Sequence, residues 1–99
     1  MPPLTIVTRP RYEHDLGRFL LSGKATKMLP RLREVILRLQ NRQRLSAVYR
    51  DHALKGRLKH LRECHVDRDL LLVYEIVEDR LELLLLRLCD HDQLRTIVH

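Results

Sequence analysis

A chain of 99 residues and 11.9 kDa can close one hydrophobic core and no more, which excludes a multidomain reading. Hydrophobic residues at 44% and charged residues at 32% exclude wholesale disorder, and the longest apolar runs, Leu70 to Tyr74 and Leu81 to Leu88, fall far short of the ~20 residues of a membrane span. The 19 Lys+Arg outnumber the 13 Asp+Glu to leave a net charge of +6, and 15 of the 19 are arginine, whose planar fork matches phosphate geometry and favours RNA, DNA or an acidic protein as partner.

Leu4 to Thr8 is β-prone and is ended by Pro10, as suits a first strand at a sheet edge. Tyr12, Leu16, Phe19 and Leu20 recur at helical spacing and predict a first helix from about Arg11 to Ser22, with Gly23 placed to end it. Met28, Leu29, Leu32, Val35, Ile36 and Leu39 form a second helical stripe that runs to about Asn41. Thr26 is placed to cap this helix, and Pro30 is expected in its first turn, where a missing N–H does no harm. Beyond a polar connector, Gln43 to Gly56, the period changes to that of strands. Three β-prone runs follow, Leu58 to Val66, Leu70 to Val77 and Leu81 to Leu88, joined by short turns in a meander. A short polar tail completes the chain. The order predicts an α+β fold: an N-terminal strand, then two helices on one face of an antiparallel sheet completed by the C-terminal three-strand meander. Leu70 to Val73 is apolar on both faces, so this central strand needs a second cover that two helices cannot give, either a partner chain or the chain's own termini.

Three of the six histidines, His52, His65 and His91, fall where loops meet strand ends. Such positions suit function because the sheet fixes the backbone and leaves the side chain accessible. Asp69 stands at the turn that follows His65. A lone boundary histidine is more often a solvated or capping residue, but three together point to a site. Metal binding is the rival chemistry, since Cys64, His65, Cys89 and His91 offer two sulfurs and two imidazoles. Adjacent Cys64 and His65 on a strand face opposite ways, however, and no Cys-x-x-Cys or His-x-x-x-His pair is present, so no metal or other cofactor is expected. The thiols are better read as small core hydrophobes. The segment MPPLTIVTRP has no apolar stretch of signal-peptide length, and a cytoplasmic protein with reduced thiols is expected.

Tyr49-Arg50-Asp51-His52-Ala53-Leu54-Lys55-Gly56, then Arg62-Glu63-Cys64-His65-Val66, then Asp69-Leu70-Leu71-Leu72-Val73-Tyr74, and finally Leu86-Arg87-Leu88 before His91 resemble bacterial toxins of the RelE/ParE superfamily, YafQ type. The resemblance spans nearly the whole chain, in the family's order and spacing, and makes residues 1–99 one RelE-like domain. It implies a ribosome-dependent endoribonuclease that cuts mRNA in the ribosomal A site. It implies too that a small acidic antitoxin silences the toxin, in a heterotetramer that meets operator DNA only through the antitoxin. Carried over by position, the catalytic residues are His52, His65, Asp69 and His91.

Those residue types suit metal-free RNA cleavage. The ribose 2′-OH attacks the adjacent phosphorus, which needs a base, an acid for the leaving oxygen and cations for the phosphorane. His65 and Asp69 are candidates for the base side, His91 for the acid, and His52 for a supporting or acid role. Arg62, Arg87 and Lys55 are the candidate phosphate or RNA contacts. The chain departs from the pattern in having Leu70 and Arg95 where relatives commonly carry aromatics, and Cys89-Asp90 where Gly-Thr usually precedes the last histidine. A second reading, from another class, is a noncatalytic ParE-like toxin that inhibits a protein such as gyrase by binding. ParE-like toxins lack the histidine set. A third reading is a basic scaffold that only assembles with its antitoxin.

Overall fold

The computed structural model describes residues 2–98. In chain order the elements are β1 (Thr5–Thr8), α1 (Pro10–Leu21), α2 (Ala25–Gln40), β2 (His52–Ala53), β3 (Arg62–Asp67), β4 (Leu70–Val77), β5 (Glu82–Cys89) and α3 (His91–Val98). Single-turn 3-10 helices occupy Ala47–Tyr49, Gly56–Leu58 and Glu78–Arg80. The five strands form one sheet in the order β1-β5-β4-β3-β2. The α+β class, the helix pair and the meander are as the sequence predicts. The sheet is not purely antiparallel, because β1 runs parallel to β5, Thr5 opposite Glu82 and Thr8 opposite Leu85. The helical hairpin between them carries the chain across the sheet before the meander begins, as a parallel pair requires.

One face of the sheet packs on α1 and α2. Tyr12 and Phe19 from α1, and Leu32, Val35 and Leu39 from α2, meet Cys64, Val66, Leu72, Tyr74, Leu83 and Leu85 from the strands. The buried side of α1 is Tyr12, Asp15 and Phe19, whereas Leu20 is 49% exposed. The helical stripe is thus rotated from the apolar one so that a carboxylate, and not a leucine, faces the sheet. Helix α2 begins at Ala25, with Lys24 at its cap and no side-chain cap bond. Pro30 therefore lies inside the helix, beyond the first turn where it was expected, and leaves the Thr26 carbonyl without its i+4 donor.

The opposite face is covered by the chain itself. Leu71, Val73 and Cys89 pack with Leu94 of α3 and with Leu54, Leu61 and Leu86. Leu71 is 0% and Val73 1% exposed, and burying each such side chain is worth about 1.5–3 kcal/mol. The C-terminal helix and the loop around β2 close this strip, so it needs no partner chain to cover it. What read as a polar tail is this helix. Gln93 N–H donates to Asp90 Oδ1 at 2.8 Å while Asp90 N–H donates to Gln93 Oε1 at 2.9 Å, a reciprocal capping box that satisfies donors at the helix start. Leu94 N–H bonds back to the Asp90 carbonyl at 3.0 Å. Among the described residues no helix is long and apolar enough to cross a membrane.

Candidate active site

Strand register brings the expected histidines together. Leu71 on β4 lies opposite His65 of β3 on one side and Cys89 of β5 on the other. Two residues past Cys89 the chain turns into α3, and His91 opens that helix. The His65 and His91 rings approach with centroids 5.3 Å apart and planes inclined by 56°. A bulge between His65 and Asp67 sharpens the β3–β4 hairpin, whose next residues are Arg68 and Asp69. Asp69 Oδ1 sits 3.5 Å from His91 Nδ1, and its other oxygen lies 4.0 Å from Lys24 Nζ. The carboxylate thus backs His91, where the sequence reading had grouped it with His65.

His52 faces Glu63 across the β2–β3 pair. Its Nε2 lies 2.7 Å from Glu63 Oε1 and its Nδ1 2.6 Å from the Arg50 carbonyl. Both ring nitrogens face oxygens, and these two contacts tie His52 to Glu63 of β3 and to the backbone of the preceding turn. Glu63 is 8% exposed, and its Oε2 has no hydrogen-bond partner among the described residues.

The two meeting histidines open onto a cleft of about 350 Å³ lined also by Arg31, Val48, Arg50, Asp67 and Arg68. Partial burial, helped by the charge of the neighbouring His91, holds His65 below its ordinary pKa, against an upward pull from Glu63. A neutral imidazole at neutral pH follows. Three guanidinium groups and one carboxylate give the cleft the sign that accepts phosphate.

Other expected cations are occupied elsewhere. Arg62 Nε donates to Asp51 Oδ1 at 3.3 Å, and the same oxygen accepts a short hydrogen bond from the Tyr74 hydroxyl. Arg62 lies opposite Tyr74 in the β3–β4 pair, on the sheet face that carries the helices, not on that of His65. Arg87 is gripped by buried Asp15, through Nε at 2.7 Å and Nη2 at 3.3 Å, while Leu88 N–H donates to the same carboxylate at 2.9 Å. Lys55 is exposed at the start of the 3-10 turn Gly56–Leu58 and does not line the cleft. Arg31, Arg50 and Arg68 were missed because they lie on three separate elements with no spacing to link them. The position of Arg68 in the β3–β4 turn beside Asp69 and of Arg50 two residues before His52 was the available signal.

The cysteines stand apart from this chemistry. Burial pushes the Cys64 thiol up to about 12 and the Cys89 thiol up to about 11, so both remain protonated core groups. Among the described residues no group of three or more His, Cys, Asp or Glu side chains is arranged to hold a metal ion.

The family model described as the bacterial toxin of a type II toxin-antitoxin system, YafQ, matches residues 4–96. The chain belongs to the YafQ family. It is thereby a toxin of a type II toxin–antitoxin system. A YafQ homologue of Haemophilus influenzae is 44% identical over 57 residues, so that the chain matches 56% of that curated relative's length. Two solved structures are similar over nearly their whole chains. A metal-bound toxin from Helicobacter pylori is 42% identical with a TM-score of 0.80, covering 92% of this chain and 98% of that one. The E. coli DinJ–YafQ toxin–antitoxin complex contains a chain 30% identical with a TM-score of 0.78, covering 93% and 97%. The overall fold is thus shared with these toxins.

Proposed function

We propose that this YafQ-family toxin is a ribosome-dependent endoribonuclease that cleaves mRNA by acid–base catalysis. The observation that carries the reading is the His65–His91 pair, 5.3 Å apart, in an arginine-lined cleft. His65, neutral because its pKa is held down, takes the proton from the ribose 2′-OH as that oxygen attacks the adjacent phosphorus. His91, backed by Asp69 at 3.5 Å, gives a proton to the departing 5′ oxygen. The products are a 2′,3′-cyclic phosphate on one fragment and a 5′-OH on the other. Arg50 and Arg68 stabilise the charge of the pentacoordinate phosphorus. His52 and Glu63 fix the strand that carries His65. Arg62 and Arg87 are assigned to the structure through Asp51 and Asp15, and Lys55 to the basic approach around the site.

The part given to the ribosome is supported by how little of the described surface can stack RNA. Of the four aromatic residues, Tyr12, Phe19 and Tyr74 are buried, which leaves little with which to stack a single strand of RNA. Orientation of the scissile phosphate must then come from the ribosome that presents the codon. The cluster also favours nuclease action over ParE-like inhibition, because a binding-only toxin has no need of two histidines converging on an arginine-lined cleft.

The antitoxin partner is supported by the net charge of +6 and by the DinJ–YafQ complex among the similar structures. It no longer draws on an uncovered apolar strand. An acidic segment that folds over the cleft arginines would silence the toxin directly. Inducing the protein in bacteria and mapping mRNA 5′ ends by primer extension tests the catalytic reading: new ends inside coding sequences support it, and growth arrest without them refutes it. Co-expression with the adjacent small reading frame tests the partner, which should co-elute with the toxin and abolish its toxicity.

A further inference from the structure

A cleft that grips phosphate still has to hold the neighbouring base, and stacking is the contact that does so without reading sequence. Tyr49, half-buried, stands in the chain between Val48 and Arg50, which both line the cleft. It ends the 3-10 turn Ala47–Tyr49 and packs against the main core. Arg31, from the middle of α2, lies over its ring with the guanidinium carbon 5.8 Å from the ring centroid. The same guanidinium reaches Asp67 Oδ2 through Nη1 at 3.8 Å, and its side chain remains 45% exposed. Arg31 lines the cleft together with His65 and His91. Neither Arg50 nor Arg68 is paired with a ring among the described residues.

We propose that Arg31, backed by Tyr49, is the base-stacking residue of this cleft, holding the nucleobase next to the scissile phosphate on its guanidinium face. This rests on the cleft being an RNA-cleaving site. A guanidinium is flat, delocalised and weakly hydrated, so it stacks on rings and on bases where an ammonium cannot. The tyrosine, anchored in the core, fixes the plane from one side. Asp67 meets the guanidinium at Nη1, and the side chain, 45% exposed, lines the cleft. Stacking tolerates every base, and the larger purine face gains only a modest advantage from stacking strength. Arg31 is therefore chiefly a grip on the base, with a modest purine preference.

The test compares wild type, Arg31→Lys, Arg31→Gln and Tyr49→Leu on ribosomes programmed with mRNAs that differ only by a purine or a pyrimidine beside the cut. Arg31→Lys keeps the charge and loses the plane. The expected result is that Arg31→Lys fares no better than Arg31→Gln. Each raises KM by about tenfold, the scale of one lost base stack, with the loss falling on KM more than on kcat and the purine preference reduced. Tyr49→Leu follows them where circular dichroism shows it folded, and the Arg31 variants carry the decision alone where it does not. An Arg31→Lys toxin with wild-type KM overturns the proposal, because charge alone would then suffice. If the wild type cuts no mRNA on ribosomes, the nuclease reading itself has failed and the stacking role falls with it. Cutting by the wild type with Arg31→Lys unchanged refutes only the stacking.

Discussion

Asp15→Ala should cost this protein about 3 kcal/mol of folding free energy, more than any single surface substitution. The carboxylate is 7% exposed and accepts three hydrogen bonds, two from Arg87 and one from the Leu88 backbone. Alanine leaves the Arg87 guanidinium, 18% exposed, without its counter-charge, and breaking a buried ion pair from one side costs about 3–5 kcal/mol. The lower end applies because part of Arg87 can turn to water. The orphaned Leu88 N–H adds a share of the ~1–3 kcal/mol of an unsatisfied buried donor. Against a total of about 5–15 kcal/mol for a natural domain, the loss is between about a fifth and three fifths of the margin. With a urea m-value of ~1 kcal/mol/M, as for a small chain, the unfolding midpoint by far-UV circular dichroism should fall by about 3 M. Asp15→Asn retains an acceptor and should lose less. The double variant Asp15→Ala with Arg87→Met should recover part of the loss, since it strands no charge. A midpoint shift under about 0.5 M for Asp15→Ala, well inside the ~1 kcal/mol of an ordinary substitution, would refute the assignment of this pair to stability and return Arg87 to the list of free phosphate contacts.

His65→Ala and His91→Ala should each leave a folded protein whose cleavage is at least ~100-fold slower, the scale of losing a general base or acid; unchanged cutting by both, in a single-turnover assay on ribosomes, would remove them from the chemistry. The lowered pKa of His65 should place the acid limb of the kcat/KM profile below pH ~6.5, the ordinary histidine value, and a limb above that value would contradict the role of His65 as base. The same shift has a stability sign: the unfolded chain takes up the proton first, so this residue removes stability as pH falls from the ordinary value toward the folded one. Leu94→Ala should cost about 2–4 kcal/mol, because Leu94 fills the second core beside Leu71 and Val73; a thermal midpoint unchanged within a degree or two would show that α3 does not close that face.

The histidine positions were legible because each lies at a composition change, and the resemblance fixed their order. What joins them was not. That Asp69 backs His91, and not His65, depends on where β5 hands over to α3, and local pattern is silent on that distance. The α3 signal was present and went unread: Asp90 and Gln93 have capping-box spacing, and Leu94 follows, but the segment's polarity suggested a tail. Reading it would have supplied the cover for Leu71 and Val73. At two residues, β2 is too short for any period to show. The parallel setting of β1 is a property of the crossover, not of Thr5 to Thr8. Asp15 sits at the spacing of the buried face of α1, and Arg87 is a single charge near the end of an apolar strand; their pairing links residues 72 positions apart, which no helical or strand period reports.

The central claim is tested most directly by incubating purified toxin with a defined mRNA, with and without ribosomes, and mapping the new ends. The account predicts site-specific cuts that bear 5′-OH termini, that need the ribosome, and that disappear in His91→Ala. Efficient site-specific cutting of naked mRNA at physiological salt, or an unchanged cut pattern from His91→Ala, would contradict it.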